Sequence, residues 1–212
     1  MHPKKFLIAG ASGYIGTLLI EKLLDEGHYC YCLVRNPDFF NYKNHPNVDT
    51  IQADLTQVQS IENLDSSIEF GYYLVHSLHS KNNFIEKEKQ SANHFLNIAK
   101  QANVKRIVYL GGLINFEKAD LSPHLKSRLQ VGKIFRNSTI PTIEFRASII
   151  IGCGSLSFEL IRYLIKTMPI IIGPKWLNNL TQPIFIDDVI AYLAKGISVE
   201  LKKSIVIDIG GP

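Results

Sequence analysis

Short apolar runs alternate with segments of helical period along the whole chain. Runs of four to ten mostly apolar residues predict strands, and apolar residues spaced three and four apart predict amphipathic helices between them. The predicted strands are residues 6–9, 29–34, 48–53, 70–75, 105–110, 142–151 and 204–209. The predicted helices are residues 15–24, 84–102, 124–135, 156–168 and 187–197.

Near-continuous apolar strands separated by helices are typical of a parallel sheet that is covered on both faces. The predicted fold class is therefore α/β: a Rossmann-like, doubly wound, mostly parallel sheet with helices on both faces. We expect a single domain over residues 1–212, in which residues 151–200 interrupt the alternation and form a small C-terminal lobe on the substrate side. The last residues follow a strand directly, so we also expect a longer parent chain.

Composition narrows the class of protein only slightly. The 212 residues are 46% hydrophobic and 20% charged, with a formal net charge of +4 that is spread along the chain. No nucleic acid partner is expected, because there is no run of like charges. No uncharged apolar run reaches the roughly 18 residues of a membrane span. The cysteines, which are too few and too poorly spaced for a bridge framework, favour a reducing, cytoplasmic location. Oligomeric state is not indicated.

A glycine-rich turn joins the first strand to the first helix. Gly10, Gly13 and Gly16 follow the pattern that lets a chain turn tightly, approach a pyrophosphate closely and pack its helix against the sheet. The helix N-terminus offers free N–H groups and the positive end of its dipole to phosphate. The predicted dinucleotide-binding residues of this turn are Gly10, Ser12, Gly13, Tyr14, Ile15 and Gly16.

The end of the second strand indicates which dinucleotide is bound. A carboxylate there would bind the ribose 2′-hydroxyl of NAD, whereas an arginine accepts the 2′-phosphate of NADP. The sequence has Arg35 at this place and no carboxylate before Asp38, so NADP(H) is favoured over NAD(H). Asp54, which follows the third strand with Leu55, is either an acceptor for the adenine amino group or a turn residue.

Further motifs follow in order along the chain. They are Cys32-Leu33-Val34-Arg35-Asn36-Pro37, Ala53-Asp54-Leu55-Thr56, Arg106-Ile107-Val108-Tyr109-Leu110-Gly111-Gly112 and Phe185-Ile186-Asp187-Asp188-Val189. Together with the glycine turn, they resemble the atypical or extended short-chain dehydrogenase/reductase superfamily, and most of all its NmrA-like, NAD(P)H-binding branch. The resemblance covers nearly the whole chain. It implies that Leu74, Val75 and His76 lie beside the cofactor and that Ser148 lies near its carboxamide.

The catalytic residues of that superfamily are altered here. Its members carry a Tyr-x-x-x-Lys pair on one helix and a serine after the fifth strand, but this chain has His124 and Arg128 at the pair and glycines at the serine. One interpretation is an NADP(H)-dependent oxidoreductase or isomerase for a small carbonyl or hydroxyl compound. There His124 is the acid/base and Arg128 holds ribose and phosphate. The other is a non-catalytic redox sensor or assembly module that binds the dinucleotide.

Two further polar groups carry weaker predictions. His76 and His79 lack a third ligand at a suitable spacing, so no metal site is expected. Glu144 and Arg146 share one face of the sixth strand, where Arg146 meets either a substrate or a structural carboxylate, and the structural role is favoured.

Overall fold

The computed structural model describes residues 2–57, 61, 64–76, 84–114, 121–167 and 181–211. The strands are β1 (Lys5–Ala9), β2 (Tyr29–Val34), β3 (Val48–Gln52), β4 (Phe70–Tyr73), β5 (Arg106–Gly112), β6 (Thr142–Ala147), β7 (Ile150–Ile151), β8 (Ile184–Phe185) and β9 (Ile205–Ile209). The helices are α1 (Tyr14–Asp25), α2 (Phe84–Gln101), α3 (Pro123–Arg136), α4 (Leu156–Thr167) and α5 (Ile186–Gly196). No helix among these residues is long and apolar enough to cross a membrane.

The main sheet has seven parallel strands in the order β3-β2-β1-β4-β5-β6-β9. Strand β1 lies at the centre, paired with β2 on one side and with β4 on the other. The chain therefore adds β2 and β3 on one side of β1 and the later strands on the other side. This reversal of strand order is the defining feature of a doubly wound sheet. This topology confirms the predicted fold class.

Each face of the sheet packs on a pair of helices. Alternate residues of β1 point to opposite faces, so that Phe6 belongs to one core and Leu7 to the other. The first core also takes buried residues from α1 and α5, and the second takes them from α2 and α3. Cys30 and Cys32 lie on the first side as buried free thiols.

One predicted strand is wrong in its extent. Residues 142–151 form two strands, because β6 leaves the main sheet after Ala147 and β7 pairs with β8 in a separate two-stranded sheet. The N–H of Ile184 donates to the carbonyl of Ile149 at 2.9 Å, and this long-range bond diverts the chain. Of the expected lobe, α4 exposes several large apolar side chains, whereas α5 packs against α1 in the first core. The lobe stays a prediction, and residues 168–180 lie outside the described residues.

Three polar clusters connect elements that are distant in sequence. Arg106, the first residue of β5, donates through Nη1 to the carbonyls of Gly196 at 3.2 Å and Ile197 at 2.5 Å. These bonds satisfy carbonyls that the C-terminus of α5 leaves without helical partners.

The second cluster surrounds Asp65, whose carboxylate accepts a hydrogen bond from Lys5 Nζ at 2.6 Å. This bond, followed by those from Ser67 and the Tyr31 hydroxyl, holds the pKa of Asp65 well below its usual range.

The third cluster surrounds the buried Glu144 of β6. Arg146 Nε donates to Glu144 Oε1 at 2.7 Å, and Arg136 of α3 forms an ion pair with the other carboxylate oxygen. Arg146 therefore meets a structural carboxylate, as favoured from the sequence. Gly111 and Gly132 face the same carboxylate and have no side chain to displace it.

Candidate functional site

The glycine turn lies where the winding of the sheet reverses, between the carboxyl ends of β1 and β4. The N–H of Leu74 donates to the carbonyl of Ala9 at 2.9 Å, which brings the end of β4 against the turn. Gly10 has φ +85°, and a Cβ there would lie 2.7 Å from the carbonyl carbon of Leu74. Only glycine fits this backbone conformation and this approach. The turn therefore opens into the crevice in which doubly wound folds bind their ligands.

The third glycine allows α1 to start directly over the turn. A Cβ on Gly16 would lie 2.9 Å from the carbonyl carbon of Gly10 and closer still to its oxygen. That same oxygen accepts the N–H of Gly13 at 3.0 Å. The three glycines thus form one compact unit without side chains, which leaves room for a phosphate to approach the backbone.

The N-terminus of α1 is suited to an anion. Its N-cap is Gly13, which provides no side-chain cap, and its first turn contains no acidic residue. By contrast, the Ser122 hydroxyl accepts from the N–H of Leu125 and caps α3. The N-terminus of α1 therefore has no side-chain cap, and its dipole favours a negative charge there.

The other predicted residues of this turn differ in their exposure. Ser12 is exposed, so its hydroxyl can face a ligand, whereas Tyr14 and Ile15 are half-buried. Tyr14 packs over the bend that follows β7, since a Cβ on Gly152 would lie 2.5 Å from its hydroxyl oxygen. Burial, followed by Cys153 and Asp187, raises the pKa of Tyr14. Tyr14 therefore connects the glycine turn to the start of α4.

Arg35 is exposed at the carboxyl end of β2. Asp38, the next carboxylate along the chain, lies in a short 3₁₀ helix (Pro37–Phe39), and Asn36 Oδ1 accepts its N–H at 3.2 Å. Asp54 follows β3 and accepts from both the N–H and the hydroxyl of Thr56. Burial works to raise the pKa of Asp54, but these hydrogen bonds and the Arg35 charge outweigh it, so that its pKa is lowered. Arg35 thus lies at the carboxyl end of β2, close enough to Asp54 for its charge to lower that pKa.

The other residues expected to contact the coenzyme follow the carboxyl ends of β3, β4 and β6. Leu74, Val75 and His76 follow β4 directly. Leu55 is buried beyond β3, and its carbonyl lies 2.8 Å from Nδ1 of His94. Ser148 follows β6, where its hydroxyl lies 2.6 Å from that of Thr181. All of them are on the carboxyl edge of the sheet, as the fold requires for ligand-facing residues.

The structure places His124 beside His76. His124 lies in the first turn of α3, and its ring centroid is 4.5 Å from that of His76. Burial, followed by the neighbouring His76 and Arg128, lowers the pKa of His124, while Glu88 opposes the shift. The imidazole of His124 is therefore mostly neutral at pH 7.

Arg128 lies one turn further along α3, and the protein itself binds its guanidinium. Its Nη1 donates to the carbonyl of Val75 at 3.2 Å, and its Nη2 donates to the carbonyl of Leu110. Its Cζ lies 5.3 Å from the ring centroid of Tyr109, whose hydroxyl donates to the Arg128 carbonyl at 3.1 Å. Arg128 thus ties α3 to the segment after β4 and to β5.

A glutamate that the sequence analysis did not single out completes this group. Glu88 of α2 is 3% exposed, and its Oε1 lies 3.6 Å from Nδ1 of His76. The hydroxyl of the fully buried Ser127 donates to its Oε2. A signal was present in the sequence, because Glu88 stands four residues after Phe84 and four before Ala92, on the apolar stripe of α2. His79, considered above as a possible partner of His76, lies outside the described residues.

Fold and site together define a dinucleotide-binding protein with a doubly wound sheet. The sequence profile of the NAD(P)H-binding family matches residues 10–138, more than half of the chain, and the chain belongs to that family. Membership confirms the resemblance to short-chain dehydrogenases of the atypical type and the prediction of an NAD(P)(H) cofactor.

A curated relative and several solved structures are similar to the chain. A dihydroflavonol 4-reductase of Callistephus chinensis is 30% identical over 138 residues, which are 56% of this chain and 37% of the relative. The chain thus matches little more than a third of that relative's length. MoeE5 in complex with UDP-glucose and NAD is 20% identical, with a TM-score of 0.76 over 98% of this chain and 76% of its own. WbmG of Bordetella bronchiseptica, in complex with NAD, is 14% identical, with a TM-score of 0.76 over 98% and 73% of the two chains. These likenesses establish the fold.

Proposed function

We propose that the chain is an NADP(H)-dependent oxidoreductase that interconverts a small carbonyl compound and its alcohol, with His124 as the acid/base. The observation that carries this proposal is the position of His124: a half-buried, titratable group at the carboxyl edge of the sheet, where β4 ends and the nicotinamide would lie. The similarity of 138 residues of this chain to a dihydroflavonol 4-reductase supports the same class of reaction.

The residues would divide the work as follows. The glycine turn and the N-terminus of α1 would bind the pyrophosphate through backbone N–H groups. The chemistry that NADPH would supply when bound there is the hydride that reduces the carbonyl carbon of the substrate. His124 would donate a proton to the carbonyl oxygen, yielding the alcohol, and would then take up a proton from solvent. In the opposite direction the neutral imidazole would accept the proton of the hydroxyl group.

The preference for NADP(H) is proposed from Arg35. Its guanidinium is exposed at the carboxyl end of β2, where the 2′ position of the adenine ribose is bound in this fold. The planar guanidinium can donate two parallel hydrogen bonds to one phosphate group. An acidic residue at the same place would repel that phosphate. The structural neighbours named above were solved with NAD, so Arg35 itself is the reason to favour NADP here.

Turnover tests the proposed reaction. The protein is incubated with NADPH and a panel of small aldehydes and ketones, and with NADP⁺ and the matching alcohols, while the coenzyme absorbance is followed. We expect turnover with at least one pair and a loss in kcat of about 100-fold in His124→Gln, with coenzyme affinity unchanged. The matched control is His45→Gln, a half-buried histidine of the β2–β3 loop. Firm NADPH binding without turnover of any pair would refute the proposal.

The arrangement of Arg128 favours a second candidate function, a non-catalytic dinucleotide-binding module that senses redox state or assists assembly. Both terminal nitrogens of Arg128 bind main-chain carbonyls, although the lysine at this place in the superfamily holds the nicotinamide ribose. A redox sensor requires different affinities for NADPH and NADP⁺, because only a differential affinity shifts a conformational equilibrium. Hydride transfer at an enzyme-like rate would exclude this candidate.

A further inference from the structure

The site contains a buried carboxylate that the proposed reaction leaves without a role. Glu88 is 3% exposed, and burying a carboxylate is costly unless hydrogen bonds or charges stabilise it. Oε2 accepts the hydroxyl of the fully buried Ser127, and Oε1 lies 3.6 Å from Nδ1 of His76. A protonated His76 would form an ion pair with it across that distance.

His76 in turn contacts His124. The two ring centroids are 4.5 Å apart and their planes are inclined by 57°. The side chain of His76 is 30% exposed, so the group runs from a buried carboxylate through a half-exposed ring to the proposed acid/base. A base that a third group orients is a recurring arrangement in enzymes that transfer protons.

We propose that Glu88, anchored by Ser127, is a positioning residue that holds His76 against His124 and thereby orients the imidazole that transfers the proton. This inference rests on the function proposed above, since it assigns His124 the acid/base role. It adds two residues to the site, one from α2 and one from the end of β4.

The charged and titratable groups that face His124 shift its pKa in different directions, so the proposal predicts the direction of each change. Among the described residues, these groups are His76 after β4, Arg128 on the same helix and Glu88 on α2, and Tyr109 of β5 contacts Arg128. After burial, His76 and Arg128 lower the pKa of His124, while the Glu88 carboxylate raises it. Removing the Glu88 charge should therefore move the pKa of His124 down, and removing His76 should move it up.

The experiment is a pH titration of the histidine imidazole resonances by NMR in the coenzyme-free full chain. The first variant is Glu88→Gln, which keeps the shape of the side chain and removes its charge. The second is His76→Asn, which replaces a half-exposed side chain. The matched control is Glu86→Gln, an exposed carboxylate on the same helix. We expect the pKa of His124 to fall in the first variant, to rise in the second and to be unchanged in the control.

Kinetics complete the test. Glu88→Gln should lower kcat by about 10- to 100-fold with less than about a twofold change in coenzyme affinity, because a misplaced group slows the reaction without weakening binding. An unchanged His124 titration in both variants, or full kcat in Glu88→Gln, would overturn the proposal. If Glu88→Gln does not fold, His76→Asn decides, and a His124 pKa that does not rise overturns it. A wild-type protein without turnover would refute the proposed reaction, whereas the NMR titrations would still decide whether Glu88 and His76 act on His124.

Discussion

A single methyl group on Gly16 should abolish most of the dinucleotide affinity. The added Cβ would lie 2.9 Å from the carbonyl carbon of Gly10 and 3.0 Å from the Cα of Ala11, both of them main-chain atoms. An ordinary carbon contact is about 3.5 Å or more, so α1 has to move away from the turn by about 0.5 Å or more. That movement withdraws the N–H groups that would bind the pyrophosphate.

The magnitude follows from the bonds that are lost. A hydrogen bond to a charged group contributes about 1.5–3 kcal/mol, so the loss of one of them weakens the Kd for NADPH by roughly 10- to 150-fold. Overpacking also destabilises the fold by about 1–3 kcal/mol, which thermal unfolding measures separately. Isothermal titration calorimetry of the folded variant with NADPH gives the Kd.

Gly27→Ala is the matched control for this prediction. Gly27 follows α1 with φ +78°, and a Cβ there would meet nothing within 4 Å. This variant should lose about 1 kcal/mol of stability through backbone strain and keep its affinity for NADPH. Wild-type affinity in folded Gly16→Ala would refute the reasoning, and so would an equal loss of affinity in Gly27→Ala, because stability alone would then explain both.

Three further predictions concern charged or titratable side chains. Arg106→Ala should destabilise the protein by about 1–2 kcal/mol in chemical unfolding, because the α5 carbonyls lose a charged donor, and an unchanged midpoint would contradict this role. Asp65→Asn should lower Tm at pH 7, and the difference from wild type should shrink progressively as the pH falls below about 4 towards the lowered pKa of Asp65, because that carboxyl stabilises the fold only while it is ionised. A constant difference down to low pH would contradict this role. For His124, kcat for carbonyl reduction should fall as the pH rises through a pKa below 6.5, and kcat for alcohol oxidation should rise over the same range. A flat profile in both directions would exclude His124 as the acid/base.

The doubly wound sheet could be predicted from the sequence because local patterns determine it. The strands of a sheet covered on both faces have to be apolar throughout, and the helices between them have to carry an apolar stripe. The glycine turn was equally accessible, since Gly10 and Gly16 are required by contacts within the turn and with the adjoining strand end.

The break after Ala147 could not be predicted in the same way. Residues 142–151 form one mostly apolar run, but Ile150 and Ile151 pair with Ile184 and Phe185, which lie far along the sequence. The role of Arg106 is hidden for the same reason, because its acceptors are the carbonyls of a helix some 90 residues later. Tertiary contacts of this kind leave no local pattern.

Glu88 is an intermediate case. Its place on the apolar stripe of α2 distinguishes it from Glu86, the exposed carboxylate of the same helix, but its partners belong to other elements. A charged residue at a stripe position predicts a buried, partnered carboxylate, and the structure was needed to show that the partners are Ser127 and His76.

The claim that the glycine turn and Arg35 form an NADP(H) site is tested most directly by calorimetric titration of the coenzyme-free protein with NADPH and with NADH. We expect saturable binding, tighter for NADPH by about 10-fold or more, since the 2′-phosphate adds a charge-assisted hydrogen bond to Arg35. In Arg35→Gln the two affinities should become similar. Tighter binding of NADH, or a preference for NADPH that survives the Arg35→Gln substitution, would contradict the claim.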